Sequence, residues 1–193
     1  ALQLGRQGWS GLEFAYGIPG TLGGALVMNA GTNLGDMHSV VTCVRMLCSD
    51  GSMQELPVEA LGLQYRTSAY PPGAILLGAT LRVQRGDAHT SEHVMRTAYK
   101  QRQCTQPLTV PNAGSIFKNP PGMAAGRLID ALGLKGLCMG GAQISPVHAN
   151  FIVNIGKAMA ADVEALMRSI QERVASAYAV LLEPEVRLVG EES

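Results

Sequence analysis

The feature that most narrows the possible folds is one amphipathic helix near the end of the chain. Across residues 161–177, Val163, Leu166, Met167, Ile170 and Val174 recur at i, i+3, i+4, i+7 and i+11 and form one apolar stripe. That stripe is core, not a cofactor box. The helix needs a partner surface, and the rest of the chain supplies strands. Val40 to Leu47 alternates, with Val40, Thr42, Val44 and Met46 set against Val41, Cys43, Arg45 and Leu47. Asp50-Gly51 is a hairpin signal, and Met53 to Leu56 can return as a second strand. Val58 to Leu63 reads as a short helix, and Ala74 to Gln84 as an apolar strand ended by Gly86-Asp87. His89 to Gln103 has helical composition with a Thr90 or Ser91 cap. Ala124 to Ala131 predicts a short helix ending at Gly133, Phe151 to Ile155 a strand, and Val186 to Leu188 a last strand. Strands and helices mix without a regular βαβ alternation, so the expected class is α+β.

Length and composition exclude several functions. The 193 residues allow one large domain or two small ones, with a boundary expected near residues 86 to 105. Lys plus Arg and Asp plus Glu are each 15, so the formal charge is zero and the basic footprint of a nucleic-acid binder is missing. With 23 glycines in a 47% hydrophobic chain, tight turns and close backbone approach are expected, not disorder. Cys43, Cys48, Cys104 and Cys138 form no C-x-x-C pair, which indicates neither a zinc site nor a redox pair and suits a reducing cytoplasm. The longest apolar runs, such as Ala74 to Leu81, are too short to span a membrane. Ala1-Leu2-Gln3-Leu4 opens without Met, and Gly8 to Phe14 already reads as mid-domain sequence, so a fragment or trimmed chain is expected. No metal site is expected, and the protein is read as a cytoplasmic monomer.

Two segments carry chemistry. In Pro111-Asn112-Ala113-Gly114-Ser115-Ile116-Phe117-Lys118-Asn119-Pro120, a small-residue turn leads into a hydroxyl, a cation and an amide within five residues, a set suited to a polar, anionic small molecule. The alternative is an ordinary surface turn with a cap-type serine. The second segment runs from Gly17-Ile18-Pro19-Gly20-Thr21-Leu22-Gly23-Gly24 to Met28-Asn29-Ala30-Gly31. Its backbone N–H groups can cradle a pyrophosphate, although it is neither a Walker loop nor a G-x-G-x-x-G turn. A tightly packed small-residue turn is the competing reading.

Taken in series, these segments resemble the UDP-N-acetylenolpyruvoylglucosamine reductase (MurB) family. The other matching motifs are Gly11-Leu12-Glu13-Phe14, Tyr65-Arg66-Thr67-Ser68, Gly140 to Ser145 with His148 to Asn154, and Leu182-Glu183-Pro184-Glu185-Val186-Arg187-Leu188-Val189-Gly190. The resemblance implies an FAD-binding domain of the vanillyl-alcohol-oxidase type. Residues 1–86 correspond to its second half, and residues 87–193 to the substrate domain. The first half, with its own phosphate loop, is missing from the chain, so the chain alone is expected to bind FAD weakly or not at all. The short stretch between Tyr65 and Leu81 resembles the subtype without a long tyrosine-bearing substrate loop.

The family reaction, by this resemblance, uses NADPH to reduce FAD and then reduces the enolpyruvyl ether of UDP-N-acetylglucosamine to the lactyl ether. Hydride passes from the flavin to C3 and a proton reaches C2 from the other side. Negative charge builds on the substrate carboxylate, and a fixed guanidinium there stabilises the transition state more than the ground state. Arg66 matches that arginine, Ser115 the proton donor and Glu185 the catalytic glutamate. A buried, neutral acid can polarise the carboxylate. Glu183 shares a strand face with Glu185, so parity cannot choose between them, and the family pattern picks Glu185. The resemblance gives Gly17, Ile18, Pro19, Gly20, Thr21, Gly23, Gly24 and Asn29 as FAD contacts. It gives Tyr65, Lys118, Asn119, Gln143 and His148 as contacts to UDP-N-acetylglucosamine enolpyruvate. A satisfied core role for His148 and a packing role for Tyr65 stay open. Gln103 stands where many relatives carry a basic residue beside Arg102. The rival readings are a flavin oxidase or dehydrogenase of another substrate, and a module that holds a UDP-sugar without FAD.

Overall fold

The computed structural model describes residues 1–190, so the last three residues of the expected substrate domain lie outside the described residues. The chain divides into two compact units, Ala1–Lys100 and Gln101–Ser193. Both mix short helices with antiparallel sheets, which makes the fold α+β. Among the described residues, no helix is long and apolar enough to cross a membrane.

The first unit begins with α1 (Leu2–Arg6), β1 (Trp9–Ser10) and α2 (Leu22–Val27). The short hairpin β2 (Gly31–Thr32) and β3 (Gly35–Asp36) follows. Its main sheet is β4 (Val41–Leu47), β5 (Met53–Pro57) and β6 (Ile75–Leu81), in the order β5-β4-β6. The expected Asp50-Gly51 turn joins β4 to β5, with Gly51 at φ +82°. The Asp50 carboxylate accepts from the Ser52 N–H at 2.8 Å. The predicted alternation holds only in part. Val41, Val44 and Met46 are all buried, although Val41 has the wrong parity. A register shift against β6 between Val41 and Cys43 resets the phase, as a bulge does.

Three further expectations change. The helix expected at Val58 to Leu63 is a single 3₁₀ turn, Val58–Leu61, closed by Gly62 in the left-handed region. The strand expected from Ala74 to Gln84 breaks after Leu81, and Gln84–Arg85 forms a separate strand, β7, that pairs with β1. The long helix α3 (Ala88–Thr105), which crosses the division between the units, is capped by neither Thr90 nor Ser91. The Asp87 carboxylate accepts from the Thr90 N–H at 2.7 Å, and Ser91 instead donates its hydroxyl to Glu13 at 2.6 Å.

The second unit holds β8 (Asn112–Ser115), α4 (Ala125–Ala131), β9 (Cys138–Met139), β10 (Ala142–Ile144), β11 (Phe151–Asn154) and α5 (Ala160–Tyr178). Its antiparallel sheet has the order β8-β11-β10-β9. The predicted stripe of α5 packs into the core of this unit. Leu166, Met167, Ile170 and Val174 are buried with Ile129, Ala142, Ile144 and Ile152, and Val163 lies half-buried beside them. Gly140-Gly141 has a packing reason. The Asp162 carboxylate near the start of α5 accepts from the Gly141 N–H at 3.1 Å. A Cβ on Gly141 would stand 2.5 Å from the Ala158 nitrogen.

No strand forms at Val186 to Leu188. Pairing of the tail ends at one bridge, Phe117↔Pro184, flanked by bonds from Lys118 N to the Glu183 carbonyl (2.9 Å) and from Glu185 N to the Ile116 carbonyl (2.7 Å). Beyond Val186 the apolar side chains are largely exposed, Leu188 at 58% and Val189 at 97%. Alternating residues without a neighbour to bury them do not make a strand.

Candidate functional site

Within the first unit, the glycine-rich segment and the Tyr-Arg-Thr-Ser segment are tied into one element. The segment is not all loop, because Leu22–Val27 is helical and Thr21 is its N-cap, accepting from the Gly24 N–H at 3.1 Å. Gly23 and Gly24 therefore sit inside the helix. The helix ends in a Schellman motif, with Ala30 N bonded to the Ala25 carbonyl (2.8 Å) and Asn29 N to the Leu26 carbonyl (3.3 Å). Asn29 occupies the left-handed position at φ +41°, which asparagine tolerates better than most residues.

Asn29 is only 2% exposed, and its amide is spent inside the chain. Its Oδ1 accepts from the His38 N–H at 2.8 Å, and its Nδ2 donates to the Gln64 carbonyl at 3.0 Å and to Asp36 at 3.2 Å. The bond to Gln64 fixes the corner that carries Arg66. Gln64 and Thr67 exchange backbone bonds around Tyr65-Arg66, and Arg66 takes φ +56°. The Arg66 guanidinium donates to the Gly31 carbonyl at 3.0 Å and, more weakly, to the Asn29 carbonyl at 3.5 Å, and it lies 5.0 Å from the Tyr65 ring centre. Ser68 completes the tie by donating its hydroxyl to the Val27 carbonyl at 2.7 Å. A non-glycine residue held in the left-handed region by surrounding bonds is characteristic of functional sites.

On the other side of α2, Gly17, Pro19, Gly20 and Thr21 are exposed and Ile18 is half-buried. Gly20 has φ +128°, with open space where a Cβ would stand. The N–H groups of Leu22 and Gly23 are in the first turn, where a helix leaves donors without partners of its own. This surface can accept a phosphate group. A cleft of about 310 Å³ lies elsewhere in this unit, lined by Glu13, Asp87, Thr90 and Ser91, whose polar groups already bond one another.

Within the second unit, Ser115 is the last residue of β8, opposite Phe151, next to a register shift between Phe151 and Val153. Asn112 builds the preceding turn. It donates to the Val110 carbonyl at 2.7 Å and accepts from the Gly114 N–H at 2.9 Å, while Gly114 adopts φ +85°. Ile116 and Phe117 plunge into the core. The buried Asn150 side chain holds Phe117 from both ends, accepting from its N–H at 3.0 Å and donating to its carbonyl at 2.8 Å. The tail runs along the opposite edge, so the Glu185 backbone bonds the residue next to Ser115. Buried Leu182 anchors that tail, and its carbonyl accepts from Gln171 of α5 at 2.9 Å.

The two glutamates that parity could not separate now differ. Glu183 is exposed and pairs with Lys118 at 2.5 Å, whereas Glu185 is half-buried. Asn119 is turned toward α4, where its Oδ1 accepts from the Ala125 N–H at 3.0 Å. Ser115, Lys118, Asn119 and Glu185 thus belong to one stretch of the second unit. His148 lies beside it, against Gly126 in the first turn of α4 that Asn119 caps, whereas Gln143 is carried by β10. Gln143 lies on β10 opposite Val153 and donates to the Gly136 carbonyl at 3.2 Å. The His148 Nδ1 accepts from the Asn150 N–H at 3.2 Å, and its ring stands edge-on to Phe151 at 4.9 Å. Burial, aided by the Lys135 charge, pushes the His148 pKa below its ordinary value, so the ring is neutral at pH 7. Among the described residues, no group of three His, Cys, Asp or Glu side chains could hold a metal ion, and the four cysteines are free thiols.

Comparisons with known proteins point to one family. Residues 106–189 match the family described as UDP-N-acetylenolpyruvoylglucosamine reductase, C-terminal domain. A UDP-N-acetylenolpyruvoylglucosamine reductase of Anaeromyxobacter dehalogenans is 52% identical over 95% of this chain and 56% of its own length. One from Chlamydia pneumoniae is 48% identical over 94% of this chain and 59% of its own length. The crystal structure of UDP-N-acetylenolpyruvylglucosamine reductase (MurB) from Thermus caldophilus superposes with a TM-score of 0.86 at 42% identity, covering 96% of this chain and 66% of that one. The second unit is thus of the reductase C-terminal type. The chain belongs to the UDP-N-acetylenolpyruvoylglucosamine reductase family and spans a little over half the length of these two curated relatives.

Proposed function

We propose that the protein is an FAD- and NADPH-dependent oxidoreductase that reduces UDP-N-acetylglucosamine enolpyruvate to UDP-N-acetylmuramate, for peptidoglycan precursor synthesis. In this reading residues 1–86 belong to the FAD-binding domain and residues 87–193 to the substrate domain. The observation that carries it is the placement of Ser115 and Glu185 on paired backbone segments, with Glu185 half-buried and Glu183 left to an exposed ion pair.

Arg66 has the fixed orientation its proposed role needs. Two carbonyls aim its guanidinium, and a cation set before charge develops costs no reorganisation during the reaction. Ser115 delivers the proton to C2, and Glu185 polarises the substrate carboxylate. Lys118 and Asn119, which follow Ser115 along the chain, are assigned to the nucleotide, and Tyr65 flanks Arg66. Gln143 and His148 are kept as candidate substrate contacts, each also held by bonds within the sheet. For the cofactor, the exposed run Gly17 to Thr21 and the first N–H groups of α2 fit a phosphate, and Asn29 positions that turn without touching it. Bound FAD would supply the hydride chemistry. The complete natural protein, purified under native conditions, is expected to be yellow and to oxidise NADPH only when the enolpyruvyl nucleotide is present. A complete protein that binds no flavin would overturn this reading.

A further inference from the structure

The motif His148-Ala149-Asn150-Phe151 contains a side chain with no role in the chemistry above, yet its geometry is unusual. Asn150 is 4% exposed. Its amide does for Phe117 what a neighbouring strand would do, accepting from the N–H at 3.0 Å and donating to the carbonyl at 2.8 Å. Its own carbonyl accepts from the Ile116 N–H at 2.9 Å. Three consecutive bonds from one residue therefore hold the two residues that follow Ser115. On the far edge the Ile116 carbonyl receives the Glu185 N–H. Phe117 and Pro184 form the non-hydrogen-bonded pair of the bridge, so the Phe117 N–H and carbonyl both point away from the tail and toward the Asn150 amide.

We infer that Asn150 is a positioning residue, which sets the Ser115 hydroxyl and the Glu185 carboxyl by fixing the backbone between them. The inference rests on the function proposed above. A residue that only filled the core would need shape and not this pair of donor and acceptor. Asn150→Asp keeps the shape and an acceptor for the Phe117 N–H but removes the donor to its carbonyl.

The test uses the complete flavoprotein and follows the two half-reactions separately by stopped flow, after thermal melting has established that each variant is folded. Asn150→Asp is expected to slow flavin reoxidation by the enolpyruvyl nucleotide by about 10- to 100-fold, the scale of a small misplacement of a reacting group. Flavin reduction by NADPH should change less than about 2-fold, because Ser115 takes no part in it. In the double variant with Ser115→Ala, Asn150→Asp should add clearly less than its loss in the single variant, since part of its effect acts through the serine and only the part through Glu185 remains. If Asn150→Asp does not fold, Asn150→Ser is taken through the same cycle with the same expectations. Equal slowing of both half-reactions, no slowing, or full additivity with Ser115→Ala would overturn the inference. If Ser115→Ala alone leaves reoxidation unchanged, the fault lies instead with the proposed role of Ser115.

Discussion

Replacing Asn29 with alanine should destabilise the first unit by an amount that can be worked from its bonds. The His38 N–H and the Gln64 carbonyl each lose a partner at 2.8 and 3.0 Å. A part-buried group left unpaired costs about 1–1.5 kcal/mol. Alanine must also hold φ +41°, which adds about 1 kcal/mol. The expected loss is about 3–4 kcal/mol, a large share of ordinary domain stability. Trp9, the only tryptophan, lies in this unit with the Arg85 guanidinium 3.9 Å from its ring centre, so its fluorescence reports unfolding there. Urea titration of the flavin-free protein should show a lower midpoint with unchanged slope. Asn29→Gly removes the strain but not the lost bonds, and should recover only about 1 kcal/mol. A loss below about 1 kcal/mol in Asn29→Ala, or wild-type stability in Asn29→Gly, would refute the assignment of these bonds as the turn's anchor.

Ser115→Ala should slow flavin reoxidation by about 10²–10⁴ while sparing reduction by NADPH, as stopped-flow traces would report. Glu183→Gln should alter stability and turnover little, because its carboxylate is largely exposed to solvent and such a pair is worth about 0–1 kcal/mol, whereas Glu185→Gln should strongly depress turnover. His148 should make stability pH-dependent. Its folded pKa lies below the ordinary value, so the unfolded chain binds the proton more readily, and stability is complete above about pH 6.5 and falls as the pH drops below it. His148→Asn keeps an acceptor for the Asn150 N–H and should flatten that dependence between pH 7.5 and 5 in urea titrations.

The sequence was most readable where one residue pattern met one physical demand. The stripe from Val163 to Val174 required a buried helix face, and α5 buries it. Asp50-Gly51 required a tight turn, and one is present. Reading failed where a tertiary contact decided the outcome. Val186 to Leu188 has strand composition but no neighbour to pair with. Val41 is buried against parity because of a bulge that no local pattern marks. The site was partly legible. The motifs single out Ser115, Arg66 and Glu185 as candidates; strand parity leaves Glu183 level with Glu185, and the two differ in the structure by exposure. Asn29, a cofactor contact by the resemblance, also carries the signature of a left-handed cap, an asparagine just after a short helix. Asn150 gave no signal of its own, since its importance lies in residues 33 positions away.

The pairing of residues 183–186 with 116–118 also has a consequence for the order of assembly. Lys118 and Glu183 are separated by 65 positions, so this edge of the second unit cannot be completed until residues 183–186 have been synthesised. Until then the backbone after Ser115 is secured on one side only, by Asn150, and offers an open edge on the other. A nascent or clipped chain ending near Leu181 could still form the sheet and helices of the second unit, yet it would lack Glu185 and invite other strands to its place. The proposed proton donor thus lies on a segment that gains its second neighbour only after residues 183–186 have been made, well after its own sheet partner β11.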